Sequence, residues 1–88
     1  MNMNAVGIDV SKRKSTVAIL RLAGKTVVKP FDVPHLSADF QTLIHQIRAL
    51  DGQTRIVMEC TGRYYEPVAR QLSHAGFFVS AVNHLDHP

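Results

Sequence analysis

The chain lacks a second cysteine, a long apolar run and a strong excess of either charge. Cys60 is the only cysteine among 88 residues, which excludes an internal disulfide and does not contradict a reducing compartment. No apolar run approaches the ~20 residues that span a bilayer. The N-terminal Met-Asn-Met-Asn also lacks the charged and then apolar layout of a signal peptide. We therefore expect a cytoplasmic protein.

The composition is that of one small globular domain. Hydrophobic residues make up 45% of the chain and charged residues 19%, a balance that excludes a disordered segment. At 88 residues the core must be thin. The formal net charge of +3 is compatible with a nucleic-acid partner but does not establish one.

Three strands are predicted in the first part of the chain. Apolar and β-branched runs cover Ala5–Val10, Ser15–Leu20 and Thr26–Val33. The short gaps between them favour two successive antiparallel hairpins. Pro30 cannot donate a hydrogen bond to a neighbouring strand, so the third strand is expected at an edge of the sheet.

A helix is predicted after Ser37, which is expected to cap it, and the helix should end at Asp51-Gly52 with Gly52 in the left-handed C′ position. A second helix is expected from about Tyr64 to about His74, with Thr61 as its cap, Pro67 in its first turn and Gly76 at its end. Apolar residues recur at helical spacing in both. The faces consist of Leu36, Phe40, Leu43, Ile44, Ile47 and Leu50 in the first helix, and Tyr65, Val68, Ala69 and Leu72 in the second.

Two further strands complete the expected order β-β-β-α-β-α-β. Arg55–Glu59 has an apolar centre, Ile56-Val57-Met58, which suits a strand buried on both faces, and Phe77–Val82 follows the second helix. A meander followed by two right-handed crossovers gives an α/β fold with a mixed sheet of strand order 3-2-1-4-5. In that order the strands that end at Asp9 and Glu59 are adjacent and parallel. Both carboxylates should therefore meet at one edge of the sheet.

Two neighbouring carboxylates repel each other unless a proton or a cation lies between them. Hard divalent cations such as Mg²⁺ bind a few carboxylates and keep water at their other positions. Asp9 and Glu59 are thus candidate ligands of a nuclease-type metal site, although two carboxylates are too few for a two-metal centre. The alternative is that each is an ordinary helix cap or a solvated group.

Two motifs resemble a known family. They are Gly7-Ile8-Asp9-Val10-Ser11-Lys12 and Glu59-Cys60-Thr61-Gly62-Arg63-Tyr64-Tyr65. Together with the segment from Leu72 to Asn83, they resemble the DEDD transposases of bacterial insertion sequences over nearly the whole chain. That family has a RuvC-like N-terminal domain with a ribonuclease H-like fold.

The resemblance implies that Asp9 and Glu59 are the first two members of an acidic tetrad. It also implies DNA cleavage and joining that depends on Mg²⁺ or Mn²⁺, a guide RNA, and a second domain with a serine nucleophile. The other two acids of the family lie beyond Asn83 in a segment that is absent here, and Asp86 cannot replace them. Residues 1–88 are therefore expected to be a truncated RuvC-like domain that lacks its final helix, binds metal weakly or not at all, and is inactive alone.

Cationic side chains flank both carboxylates. Lys12, Arg13 and Lys14 follow Asp9, and Arg63 follows Glu59. They could bind nucleic-acid phosphates, or they could be solvated turn residues. Tyr64 and Tyr65 are expected to pack rather than stack on bases.

Other candidate groups are weaker. Cys60 is expected to be a buried small side chain rather than a nucleophile. His84 and His87 are two possible metal ligands in a terminal tail, which is a weak indication. The remaining histidines, His35, His45 and His74, are expected on loops or helix surfaces.

Two other functions stay open. A strand that ends in Gly-Ile-Asp-x-Ser and leads into a hairpin also suggests an actin-like sugar kinase, but the following turn, Val10 to Arg13, has no glycine with which to cradle phosphates. A non-catalytic interaction module is the third possibility. With no final helix to cover it, one face of the sheet should be apolar, and we expect the chain to form homo-oligomers through that face.

Overall fold

Seven elements follow one another in a computed structural model that describes residues 3–21, 25–60 and 64–83. They are β1 (Met3–Val10), β2 (Lys14–Arg21), β3 (Thr26–Pro34), α1 (Ser37–Arg48), β4 (Gln53–Cys60), α2 (Tyr65–His74) and β5 (Val79–Asn83). The order of elements matches the prediction. Most strands extend one or two residues beyond their predicted ends, whereas β5 begins two residues later than predicted, at Val79.

The five strands form one mixed sheet in the predicted order β3-β2-β1-β4-β5. β1 pairs antiparallel with β2, and β2 pairs antiparallel with β3. β4 lies parallel to both β1 and β5. β3 is an edge strand, as Pro30 predicted, and its pairing with β2 shifts register on either side of Ile19. The α/β fold class and the strand order are therefore confirmed.

Both helices cover the same face of the sheet. α1 connects β3 to β4, and α2 connects β4 to β5, so both connections lead in the same direction across the sheet. Since both are right-handed crossovers between parallel strands, both helices lie on one side. The resulting core contains alternate residues of the central strands, such as Ile8 and Val10 on β1 and Met58 and Cys60 on β4. The expectation that β4 is buried on both faces is wrong, because Val57 and Glu59 lie on the uncovered side.

The helix α1 buries the middle of its predicted apolar face. Phe40, Leu43, Ile44 and Ile47 are buried. Leu36 is 63% exposed, because it is the extended N-cap residue rather than part of the helix. Ser37 is therefore the first helical residue and not the predicted cap, and no side chain caps this end.

Glycines with positive φ follow both helices. Gly52 has φ +89°, but α1 ends at Arg48, so Gly52 lies beyond the predicted C′ position in the turn before β4. Gly76 has φ +93° and directly follows the C-cap residue Ala75, as predicted. Its N–H donates to the Ser73 carbonyl at 3.0 Å, which closes the end of α2.

The helix α2 buries Val68 and Leu72, and its other predicted apolar residues, Tyr65 and Ala69, pack against the core. Pro67 lies in the first turn, as predicted. Tyr64 occupies the N-cap position, and the predicted cap, Thr61, lies outside the described residues. Among the described helices, none is long and apolar enough to cross a membrane.

Candidate functional site

Asp9 and Glu59 are direct register partners on the two central parallel strands. Each is the penultimate residue of its strand, and each is exposed. Because side chains alternate between faces along a strand, both carboxylates lie on the face without helices. The sequence predicted correctly that they meet at the carboxyl ends of the two strands, but it did not indicate which face of the sheet carries them.

A shallow depression of about 380 Å³ lies over this part of the open face. Its lining consists of Gly7, Ile8, Asp9, Thr16, Ala18, Pro30, Val57 and Glu59. Most of these residues are small or apolar. The polar side chains among them are Asp9, Thr16 and Glu59, so the depression presents oxygen atoms on an otherwise apolar floor.

A further carboxylate, Asp32, lies in the same row of cross-strand neighbours. Asp32 is the register partner of Thr16, and Thr16 is the register partner of Asp9. The Thr16 hydroxyl donates to Asp32 Oδ1 at 3.0 Å, and Lys14 Nζ donates to Asp32 Oδ2 at 3.0 Å. These two hydrogen bonds, that from Lys14 foremost, lower the pKa of Asp32. The row therefore runs Asp32, Thr16, Asp9, Glu59 across four strands.

The ion pair with Asp32 separates Lys14 from the other two members of the predicted cationic cluster, Lys12 and Arg13. Lys14 forms the ion pair with Asp32, whereas Lys12 and Arg13 are exposed in the turn after β1. Ser11 closes that turn by donating its N–H and its hydroxyl to the Lys14 carbonyl, at 3.0 and 2.9 Å. Arg63, like Gly62, lies outside the described residues.

His35 ties the same turn to the start of α1. Its backbone N–H donates to the Arg13 carbonyl at 2.9 Å, and its Nε2 lies 2.8 Å from the Oγ of Ser15, which is 1% exposed. The ring stacks on Phe40 with centroids 5.7 Å apart. Burial lowers the pKa of His35, and a hydrogen bond with the Lys12 backbone partly opposes that shift. Nothing in the sequence marked this half-buried histidine as different from exposed His45 and His74.

Cys60 follows Glu59 but points to the other face. It is buried, as predicted, and its Sγ lies 3.6 Å from the Val82 carbonyl oxygen. Burial raises the pKa of the thiol, which disfavours the nucleophilic thiolate. Of the two adjacent tyrosines, Tyr65 packs against the core as predicted and Tyr64 is 44% exposed.

Asp9 and Glu59 are a pair and not a complete metal centre. Within residues 3–21, 25–60 and 64–83, no three His, Cys, Asp or Glu side chains are grouped so that they could hold a metal ion. His84, Asp86 and His87 fall outside the described ranges. A cation at this position would need oxygen ligands beyond these two carboxylates.

The fold and the site together define a mixed α/β domain with an acidic pair on its central strands. The chain belongs to the DEDD transposase family of the IS110 type, because the family model, described as a transposase, matches residues 6–87. The family that the two motifs resemble is thereby confirmed. No curated protein matches the chain significantly.

Solved structures with a similar fold include members of the Ppx/GppA protein family from Aquifex aeolicus. One has a TM-score of 0.53 and 12% sequence identity, covering 96% of this chain and 36% of that chain. Another, described as a PPX-GPPA enzyme, has a TM-score of 0.46 and 11% identity, covering 94% and 36%. At these identities the likeness concerns the fold alone. This chain corresponds to little more than a third of either structure.

Proposed function

We propose that this chain supplies Asp9 and Glu59 as two of the acidic metal ligands of a transposase that cleaves and joins DNA. One observation carries the proposal: the two carboxylates are register partners on adjacent parallel strands and line the same depression. Under this proposal the sheet is the RuvC-like, ribonuclease H-like core of the enzyme. Membership of the transposase family supports it.

The donor set fits a hard divalent cation. Asp9 and Glu59 offer only oxygen atoms, and Mg²⁺ and Mn²⁺ prefer oxygen ligands. Two adjacent carboxylates also repel each other, and a bound cation relieves that repulsion. A divalent ion would neutralise charge on a phosphodiester and activate water or a hydroxyl for attack. The role of this chain is to hold the ion against the DNA backbone.

The remaining acidic ligands must come from elsewhere. Two carboxylates do not complete a two-metal centre, so we infer that a longer protein containing this chain supplies the other acids and the serine-containing domain. The isolated chain should then bind metal weakly and fail to cleave DNA.

Nucleic-acid contact is assigned to the turn after β1. Lys12 and Arg13 are exposed next to the strand end that carries Asp9, so their charges can reach phosphates near the metal. Lys14 contributes less than predicted because Asp32 holds its ammonium group. Arg63 remains a candidate from its position after Glu59 in the sequence. DNA and a guide RNA are the partners that we propose.

Metal titration tests the site directly. Mn²⁺ binding should be measured by electron paramagnetic resonance for the chain without substitutions (the parent) and for its variants Asp9→Asn and Glu59→Gln. We expect each substitution to weaken binding by at least about tenfold, because each removes a charged ligand. Asp39→Asn and Glu66→Gln, which make the same chemical changes in the first turns of α1 and α2, are the matched controls. Equal binding by the parent and by both site variants would refute the shared metal position.

An ATP-binding domain of the sugar-kinase type is the alternative, and the Ppx/GppA likeness makes its fold plausible without indicating its ligand. The sequence at the strand end argues against it, because Ser11, Lys12 and Arg13 offer no glycine for close approach to phosphates. Isothermal titration of the chain with Mg²⁺-ATP should therefore show no saturable binding. Saturable binding that is lost in Asp9→Asn would favour the kinase reading instead.

Self-association is a separate proposal about the open face. Apolar side chains such as Leu20, 39% exposed, and Val82, 43% exposed, share the uncovered part of the molecule with Val57. We propose that a second copy of the chain covers this face. Sedimentation velocity should show a dimer or larger species that Leu20→Lys disperses, and a monodisperse monomer at high concentration would contradict the proposal.

A further inference from the structure

We propose that Thr16 is a third oxygen ligand of the divalent cation held by Asp9 and Glu59, and that Asp32 positions the Thr16 hydroxyl for that role. The inference rests on the metal site proposed above. It adds a neutral ligand on β2 and a positioning carboxylate on β3, neither of which was a candidate in the sequence. Thr16 is therefore assigned to the binding site, whereas Asp32 acts through Thr16.

Thr16 lies where a third ligand is needed. It is the antiparallel register partner of Asp9, as Glu59 is the parallel partner on the other side. Directly opposite residues in an antiparallel pair have Cα atoms about 4.5–5.5 Å apart and side chains on the same face. All three side chains line the same depression. Asp9 is thus flanked by one oxygen-bearing side chain on each neighbouring strand.

The hydroxyl group of Thr16 has a fixed direction. It has a single proton, which it donates to Asp32 Oδ1 at 3.0 Å. Asp32 lies on β3, and Asp9 lies on β1, on the opposite side of Thr16. Because the proton is engaged by Asp32, only the lone pairs of the Thr16 oxygen remain to face a group in the depression that Thr16 lines with Asp9 and Glu59. Such a hydroxyl adds a third acceptor to the two carboxylates, and a set of oxygen acceptors suits a cation.

Asp32 is held in the state that this role requires. Lys14 Nζ donates to its other oxygen at 3.0 Å, so both oxygens of the carboxylate accept hydrogen bonds. The ammonium group also balances the charge of Asp32, so that this carboxylate does not compete for the cation. A hydroxyl ligand of Mg²⁺ has a precedent in the Ser or Thr of P-loop proteins.

Substitutions at Thr16 separate the hydroxyl from the shape of the side chain. Thr16→Val replaces the hydroxyl by a methyl group on an exposed strand position, whereas Thr16→Ser keeps the hydroxyl. In Mn²⁺ titrations followed by electron paramagnetic resonance, we expect Thr16→Val and Asp32→Ala to weaken binding about tenfold. Thr16→Ser should bind like the parent. Thr42→Val, which removes a hydroxyl bonded to the Ala38 carbonyl on α1, is the matched control and should have no effect.

A second measurement gives the location of the ion without requiring activity. Mn²⁺ broadens the NMR signals of nearby nuclei, so the Thr16 methyl signal should broaden at substoichiometric Mn²⁺ while that of Thr42 stays sharp. Circular dichroism of each variant checks that the fold is retained. Broadening of Thr16 that disappears in Asp9→Asn would tie the effect to the same ion.

The outcomes distinguish this inference from the function on which it rests. If Asp9→Asn and Glu59→Gln lose Mn²⁺ but Thr16→Val binds like the parent, Thr16 is not a ligand and the acidic site stands. If Thr16→Ser is as weak as Thr16→Val, the hydroxyl is not the binding group and the inference is overturned. If Asp32→Ala binds like the parent, Asp32 does not position Thr16. If no variant changes binding, the metal site itself is refuted.

Discussion

The contact between Ser15 and His35 should be among the most sensitive polar contacts in this small domain. Ser15 Oγ is 2.8 Å from His35 Nε2, and Ser15 is 1% exposed, so its hydroxyl has little access to water. We expect His35→Ala to destabilise the chain strongly. The same substitution at His45, exposed on α1, removes no such contact.

The magnitude follows from two contributions. Leaving a buried hydroxyl without its partner costs about 1–3 kcal/mol. The lost stacking of His35 on Phe40, with ring centroids 5.7 Å apart, adds about 0.5–1.5 kcal/mol. Together they predict a loss of about 1.5–4.5 kcal/mol. For 88 residues, the total free energy of unfolding should be about 4–13 kcal/mol, so the loss would be a large part of it.

Ser15→Ala separates the two contributions. This substitution removes the buried hydroxyl together with its need for a partner. The half-buried His35 ring can then bind water, so we expect a cost of about 1 kcal/mol. In the double variant the orphaned hydroxyl no longer exists, and the combined loss should be smaller than the sum of the single losses. The expected coupling energy is about 1–2 kcal/mol.

Urea unfolding followed by circular dichroism at pH 7 measures all four corners of this cycle. His45→Ala should change the free energy of unfolding by less than about 0.5 kcal/mol, as surface substitutions usually do. Additivity of the Ser15 and His35 losses within about 0.3 kcal/mol would refute the proposed coupling. A His35→Ala variant as stable as His45→Ala would refute the importance of the contact altogether.

Two other measurements test the structure. Burial lowers the pKa of His35 below its ordinary value of 6.5, so the unfolded chain binds the proton more readily than the folded chain. The parent should therefore lose stability relative to His35→Gln as the pH falls below 6.5 toward the lowered pKa. A difference in unfolding free energy that stays constant with pH would contradict this. An added Cβ meets no atom within 4 Å at either Gly76 or Gly7, but only Gly76 has positive φ. Gly76→Ala should therefore cost about 1 kcal/mol and Gly7→Ala should stabilise by about 0.5 kcal/mol in the same urea assay, and the reverse order would be inconsistent with these backbones.

The positions of Asp9 and Glu59 could be predicted because strong local patterns determine them. Each acid interrupts an apolar run, and the order of strands and helices leaves few right-handed topologies. Their adjacency followed from that topology. Their exposure depends in addition on which face of the sheet the helices cover, and the direction of both crossovers decides this.

The positions of Thr16 on β2 and Asp32 on β3 beside Asp9 could not be predicted in the same way. Thr16 faces Asp32 only in one register, and the pairing of β2 with β3 shifts twice near Ile19. A hairpin sequence does not specify such irregularities, and a displacement of one residue would place Asp32 on the covered face. His35 was missed for a related reason. Its contacts reach Ser15, 20 residues away in the sequence, and Arg13 in the turn before β2, and no local pattern encodes them.

The same alternation of buried and exposed side chains along β1 and β4 specifies both the core of the sheet and the acidic pair. On β1 the buried residues Ile8 and Val10 flank Asp9, and on β4 the buried residues Met58 and Cys60 flank Glu59. A slip of one residue between these strands would place Glu59 among the apolar side chains under the helices, where an unpaired charge is highly unfavourable. The packing that stabilises the core therefore also selects the register in which the two carboxylates meet. If the proposed metal site lies on these strands, the packing of the core is sufficient to align Asp9 with Glu59.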